Sequence, residues 1–229
     1  MTGQVSSLKL LLLVKNILNM VFLDSEFFKI LPKIELHAHL NGSISQETIV
    51  KLVKLHREKW PEEKMPENCD LVIQGGGGEY GTNKDPFLIF PIIHAITDNL
   101  EAVRIVTREV IKDFADDGVK YLELRTTPRE VPSRMSREDY CQTVLDEIIK
   151  ASDSNRIVVK LLLSIDRKYL SRMDDIVELY KILKKNPRFE KILVGIDISG
   201  DPRVDDLRHV LEKINRIRFV DGIKVRLIE

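Results

Sequence analysis

The stretch Pro32-Lys33-Ile34-Glu35-Leu36-His37-Ala38-His39-Leu40-Asn41-Gly42-Ser43 decides how this 229-residue chain is read. As a strand, its alternate side chains share a face. Ile34, Leu36, Ala38 and Leu40 take one face; Glu35, His37, His39 and Asn41 take the other. Two imidazoles two residues apart then point the same way, close enough to bind one metal ion. Zinc accepts imidazole nitrogen at ~2.0–2.1 Å, and a catalytic site keeps a position for water. Gly42 lets the backbone turn sharply straight after the strand. Two histidines also fall near each other by chance, so the place of the pair in the fold carries the argument.

Downstream, three more apolar segments read as strands: Lys120–Leu124, Ile157–Ile165 and Ile192–Ile198. Each runs into a polar cluster: Arg125-Thr126-Thr127-Pro128-Arg129, Asp166-Arg167, and Gly200-Asp201-Pro202. Helical patterns lie between and after them, at Ser45–His56, Leu100–Asp116, Ser136–Ala151, Met173–Lys185 and Asp205–Ile217. Ser45 and Ser136 are N-cap candidates, Glu138 and Asp139 suit a helix N-terminus, and Gly118 is a stop signal. Strands alternating with helices imply a parallel sheet. Val, Ile and Leu on both strand faces fit buried parallel strands. A barrel and a doubly wound sheet both satisfy this pattern, and in both the function collects at the C-terminal strand ends. Residues 61–86 hold Pro61, Pro66, Gly75–Gly78 and Gly81 and read as a mobile excursion. No Lys-Ser or Lys-Thr follows the glycines, so a phosphate-binding loop is not indicated.

Composition sets the outer limits. The chain is 43% apolar and 31% charged, with 36 basic residues against 36 acidic ones. That is globular, and it lacks the basic excess of a nucleic-acid binder. Cys69 and Cys141 are too few for a disulfide framework and point to a reducing, cytoplasmic setting. The Leu-rich run 8–23 is interrupted by Lys15, Asn16 and Asn19 and is shorter than the ~20 apolar residues of a membrane span. It reads as an amphipathic helix docked on the domain surface. Residues 1–29 are thus an N-terminal extension, and 30–229 belong to the main domain.

PKIELHAHLNGS closely resembles the opening motif of the adenosine and AMP deaminase family. YLELRTTPR at 121–129 and GIDISGDP at 195–202 continue the resemblance, in the family's order. FADDGVKYLELR at 114–125 is similar to the adenosine deaminase-like branch. The resemblance implies a TIM barrel of the metal-dependent hydrolase type with one zinc. It implies hydrolytic deamination of a purine nucleotide: N6-methyl-AMP to IMP with release of methylamine. It further implies a monomer without a membrane span or nucleic-acid partner.

Residue by residue, His37 and His39 match the family's first two zinc ligands, and His39 also touches substrate. Asn41 matches a substrate-contacting position where enzymes for free adenosine usually carry Asp. A neutral amide tolerates a 5′-phosphate that a carboxylate would repel. His94 lies on the helix that in the family covers the pocket. Thr126, Thr127, Pro128 and Arg129 match the strand-end loop, with Arg129 a bidentate phosphate partner. Asp166 is placed to contact the nucleotide, and Gly200 matches the glycine whose backbone meets the purine ring. Glu123 and Arg125 read as a buried structural pair.

No catalytic residue is identified. The family's third zinc ligand, a His followed three residues later by the catalytic Glu, belongs after the Gly200 motif. Only 29 residues follow Gly200 here. His209 sits in a helical pattern; Arg226 and Glu229 have the right spacing with Arg in the place of His, and Arg cannot ligate zinc. Four or five strands are legible against the eight that close a barrel. The expectation is therefore the first half of a barrel, truncated at the C-terminus. The alternatives are an inactive isoform that binds metal or nucleotide weakly, a deaminase of free adenosine, or another metal hydrolase with the same His-x-His opening.

Overall fold

The computed structural model describes residues 25–67, 69–70, 89–201, 203 and 207–227. The apolar run 8–23, the glycine-rich stretch at 75–81 and Glu229 lie outside them. In chain order the described elements are α1 (Ser25–Ile30), β1 (Lys33–His39), α2 (Gln46–Lys59), α3 (Phe90–Ile96), α4 (Leu100–Asp116), β2 (Val119–Thr126), α5 (Arg137–Asn155), β3 (Val158–Asp166), α6 (Met173–Lys184), β4 (Leu193–Ser199), α7 (Leu211–Phe219) and β5 (Val225–Leu227).

Local chemistry sets the element ends. Asn99 caps α4 by accepting from the backbone N–H groups of Glu101 and Ala102. Ser136 and Asp139 form a reciprocal capping box on α5. Gly118 ends α4 at φ +86°, and a Cβ there would stand 2.2 Å from the Lys29 carbonyl oxygen. The turn between α4 and β2 therefore requires glycine twice over, for its dihedral and for its space.

All strand pairs are parallel, and the sheet order is β1-β2-β3-β4-β5. A doubly wound sheet reverses its strand order at a switch point. Here each strand lies beside its predecessor, which is the winding of a barrel. The five strands are one arc of a barrel of the TIM type.

Two faces result. Leu122, Leu124, Val159, Leu161, Leu163, Ile165, Ile196 and Ile198 are buried and alternate outward against the helices. The inner face is different: Glu123, Arg125, Ser164 and Asp197 are also buried there. The expectation of apolar side chains on both faces thus holds for the outer face, while the inner face mixes Leu162 with charge. Glu123 and Arg125 do share that inner face, yet they do not pair with each other. Arg125 pairs with Asp197 at 3.0 Å, and Glu123 with Arg226 at 2.5 Å. Two residues apart on one strand, their side chains stand parallel, and each finds its partner across the sheet instead. Ile34 and Leu36 are exposed, because β1 is the edge of the described sheet.

Gly118→Ala is expected to destabilise the domain by more than Asn99→Ala, which should cost ~1 kcal/mol for its lost cap. Urea unfolding midpoints of the two variants check the ranking.

Candidate active site

The C-terminal strand ends open into one cleft of about 1040 Å³. All ten residues singled out from the sequence line it: His37, His39, Asn41, His94, Thr126, Thr127, Pro128, Arg129, Asp166 and Gly200. They come from the ends of β1, β2, β3 and β4 and from α3, far apart in sequence.

His37 and His39 end β1 with their Nε2 atoms 3.2 Å apart. Two nitrogens on a tetrahedral zinc at ~2.0 Å would be about 3.3 Å apart, so the pair spans one edge of such a shell. Both rings have pKa values below the usual histidine range. Desolvation is the main cause in each, and the Arg125 charge adds to it, opposed by Asp197. Neutral imidazole is the form that ligates metal. Among the described residues, no third His, Cys or carboxylate ligand atom joins these two. Ser43 Oγ donates to the His39 carbonyl at 2.8 Å and fixes the turn that holds Asn41.

The β2 end is more occupied than its sequence suggests. Thr126 Oγ1 lies 2.5 Å from the phenol oxygen of fully buried Tyr140. Thr127 is exposed, and Pro128 is buried. Arg129 Nη1 donates to Thr97 Oγ1 at 2.7 Å and to its carbonyl at 3.3 Å; Nη2 donates to the His94 carbonyl at 3.1 Å. Arg129 thereby ties the C-terminal end of α3 over the cleft, where a cation also meets the negative end of the helix. Burial holds its pKa below the ordinary arginine value.

His94 is exposed to the cleft, with the Phe90 ring centroid 6.0 Å from its own. Desolvation and then the Arg129 charge lower its pKa to about 4, against a smaller opposing effect of Asp166. Asp166 Oδ1 accepts from the Lys168 backbone N–H at 2.9 Å and caps the turn after β3. Gly200 has φ +102°, and a Cβ there would stand 2.6 Å from Asp166 Oδ1. The close approach its sequence context implied is made, in this structure, by the Asp166 carboxylate.

Several features escaped the sequence. The Arg125–Asp197 pair spans 72 residues and has no local signal. Arg137, Tyr169 and Arg172 also line the cleft; Arg172 lies over the Tyr169 ring at 4.9 Å. Outside the cleft, His56, Glu63 and Asp98 bring three ligand atoms within 4.8 Å of one another. Arg134 pairs with both of those carboxylates, so a guanidinium already holds the position a cation would take. His209 falls in the short 3-10 turn Leu207–Val210. Arg226, on β5, is committed to Glu123.

Residues 32–212 match the family model described as adenosine deaminase. The N6-methyl-AMP deaminase-L of Xenopus laevis is 38% identical over 204 residues, covering 88% of this chain and 56% of that protein. The N6-methyl-AMP deaminase of Bos taurus is 39% identical over 204 residues, covering 88% and 55%. The crystal structure of Arabidopsis ADAL complexed with IMP superposes with a TM-score of 0.69 at 32% identity, over 88% of this chain and 59% of that one. The chain thus spans about half the length of the curated relatives it matches.

His94 is depressed from 6.5 to about 4 on folding. Its contribution to stability is therefore complete above pH 6.5 and falls away as pH drops toward 4. His94→Gln is expected to flatten the loss of stability across that window, measured by urea unfolding at a series of pH values.

Proposed function

This chain belongs to the adenosine deaminase family, and from that premise we propose that its cleft serves hydrolytic deamination of a purine nucleotide, N6-methyl-AMP plus water giving IMP and methylamine. The observation that carries the reading is the convergence of His37 and His39 Nε2 at 3.2 Å, at the strand end that opens the cleft. Zinc, when bound to that pair, would supply a Lewis acid that activates water at neutral pH.

The chain's own residues hold and shape the substrate. The neutral His94 ring offers one nitrogen as donor and the other as acceptor to a purine edge. Asn41 offers an amide beside the histidines without a carboxylate's charge, which suits a phosphorylated ligand. Thr127 presents an exposed hydroxyl, and the Arg129 charge adds a positive field at the same strand end, favouring a 5′-phosphate. Gly200 lets the Asp166 carboxylate close against the β4 end, which puts that carboxylate on the cleft wall beside the ligand. The α3 helix, held by Arg129, limits water on that side, which strengthens polar contacts to the substrate. Balanced net charge, without the basic excess of a nucleic-acid binder, suits a free nucleotide as substrate.

A second reading has a specific observation behind it. Two imidazoles without a third protein ligand among the described residues suit weak metal or nucleotide binding without turnover.

One assay separates the two. The ultraviolet spectrum of N6-methyl-AMP is followed with this chain and added zinc. Conversion to IMP, lost by more than about a hundredfold in His37→Ala and His39→Ala, is expected if the site is catalytic; that loss would exceed the 10–100-fold typical of outer-shell lesions. A folded, zinc-loaded chain that converts neither N6-methyl-AMP, AMP nor adenosine would overturn the catalytic reading and leave the binding one.

A further inference from the structure

The pairing of β1 with β2 skips a residue. Glu35 pairs with Leu122 and Ala38 with Leu124, so three steps of β1 lie against two of β2. The register thus shifts over Leu36–His37, in the opposite sense to the shift between Lys33 and Ile34, and such a bulge leaves backbone groups outside the ladder. The Leu36 carbonyl is taken up by a side chain: Arg125 Nη2 donates to it at 2.7 Å. Arg125 Nη1 donates to Asp197 Oδ2 at 3.0 Å, and Ser164 Oγ donates to Asp197 Oδ1 at 2.5 Å. Arg125, Ser164 and Asp197 are 0% exposed. A planar guanidinium fork reaches two acceptors at fixed angles, which an ammonium cannot do.

We propose that Arg125 is a positioning residue: clamped by Asp197 on β4, it holds the Leu36–His37 bulge of β1 in the shape that brings the Nε2 atoms of His37 and His39 within 3.2 Å of each other. The inference rests on the reading of that pair as metal ligands. Outer partners usually fix a ligating histidine through its second ring nitrogen. Here the support goes to the backbone just ahead of the first histidine, at the Leu36 carbonyl, and sets how the segment carrying both rings leaves the ladder.

The test compares Arg125→Lys with Glu123→Gln in this chain. Glu123→Gln disturbs the pair of buried Glu123 with half-buried Arg226 on the same strand face, a lesion on the inner face unconnected to the bulge. Zinc affinity is measured by competition with a chromophoric chelator, beside the thermal unfolding midpoint. Arg125→Lys is expected to weaken zinc binding by about 10–100-fold, and Glu123→Gln to lower only the midpoint. In the metal-free proteins, hydrogen exchange at the Leu36–His39 amides should quicken at least about tenfold in Arg125→Lys and stay unchanged in Glu123→Gln. Wild-type zinc affinity and exchange in Arg125→Lys, or equal zinc loss in both variants, would overturn the proposal. If the wild-type chain itself holds no zinc, the metal reading fails, and the exchange comparison alone decides the role of Arg125. Should Arg125→Lys not fold, Ser164→Ala removes only the outer hydrogen bond to Asp197. It should quicken the same amides to a smaller degree, and wild-type exchange there would count against the clamp.

Discussion

β2 and β4 do not touch as strands, since β3 lies between them. The buried Arg125–Asp197 ion pair joins them across the inner face, and the ends of β1, β2 and β4 depend on it. Two charges without solvent contact are costly unless paired and hydrogen-bonded. Here Asp197 receives Arg125 on one oxygen and Ser164 on the other, while Arg125 spends its second terminal nitrogen on β1. Removing one member of such a pair typically costs ~3–5 kcal/mol, because the other is left charged and dry. The arrangement therefore admits few neighbouring conformations, which is what a cleft needs when its paired histidines sit on the edge strand of the described sheet.

The cleft shows the same economy at its upper wall. Arg129 carries charge into the site and at the same time fastens α3 through Thr97 and the His94 carbonyl. Desolvation first and then the charge of that arginine favour the neutral ring of His94. Binding surface and scaffold are thus one set of side chains. Thr126 belongs to the scaffold side of that set, with its hydroxyl turned to Tyr140. Thr127, its exposed neighbour, faces the other way. Alternation along a strand end assigns adjacent residues to opposite tasks.

The inner face also explains why the strands looked more uniformly apolar than they are. Leu122, Leu124, Leu161 and Leu163 point to the helices and dominate the hydropathy. Glu123, Arg125, Ser164 and Asp197 fall between them and point inward. Each is buried, and each pairs with a residue on another strand. A single strand read alone shows an odd charge in an apolar run; the sheet shows a layer of pairs.

Much was legible in the sequence for a physical reason: short-range rules govern it. Strand periodicity places His37 and His39 on one side, Gly118 marks the end of α4 and Ser136 the start of α5 within a residue or two, and polar clusters mark the strand ends. The local pattern alone left open whether the alternating strands and helices wind into a barrel or a doubly wound sheet, because both share it, while the motif resemblance pointed to the barrel. The unbroken order β1 to β5 decided it, and order is a property of chain packing at long range. The partners of Arg125, Glu123 and Arg129 were likewise beyond the sequence. Asp197, Arg226 and Thr97 lie 72, 103 and 32 residues away from them, and only the register of parallel strands and the docking of α3 bring those charges into contact.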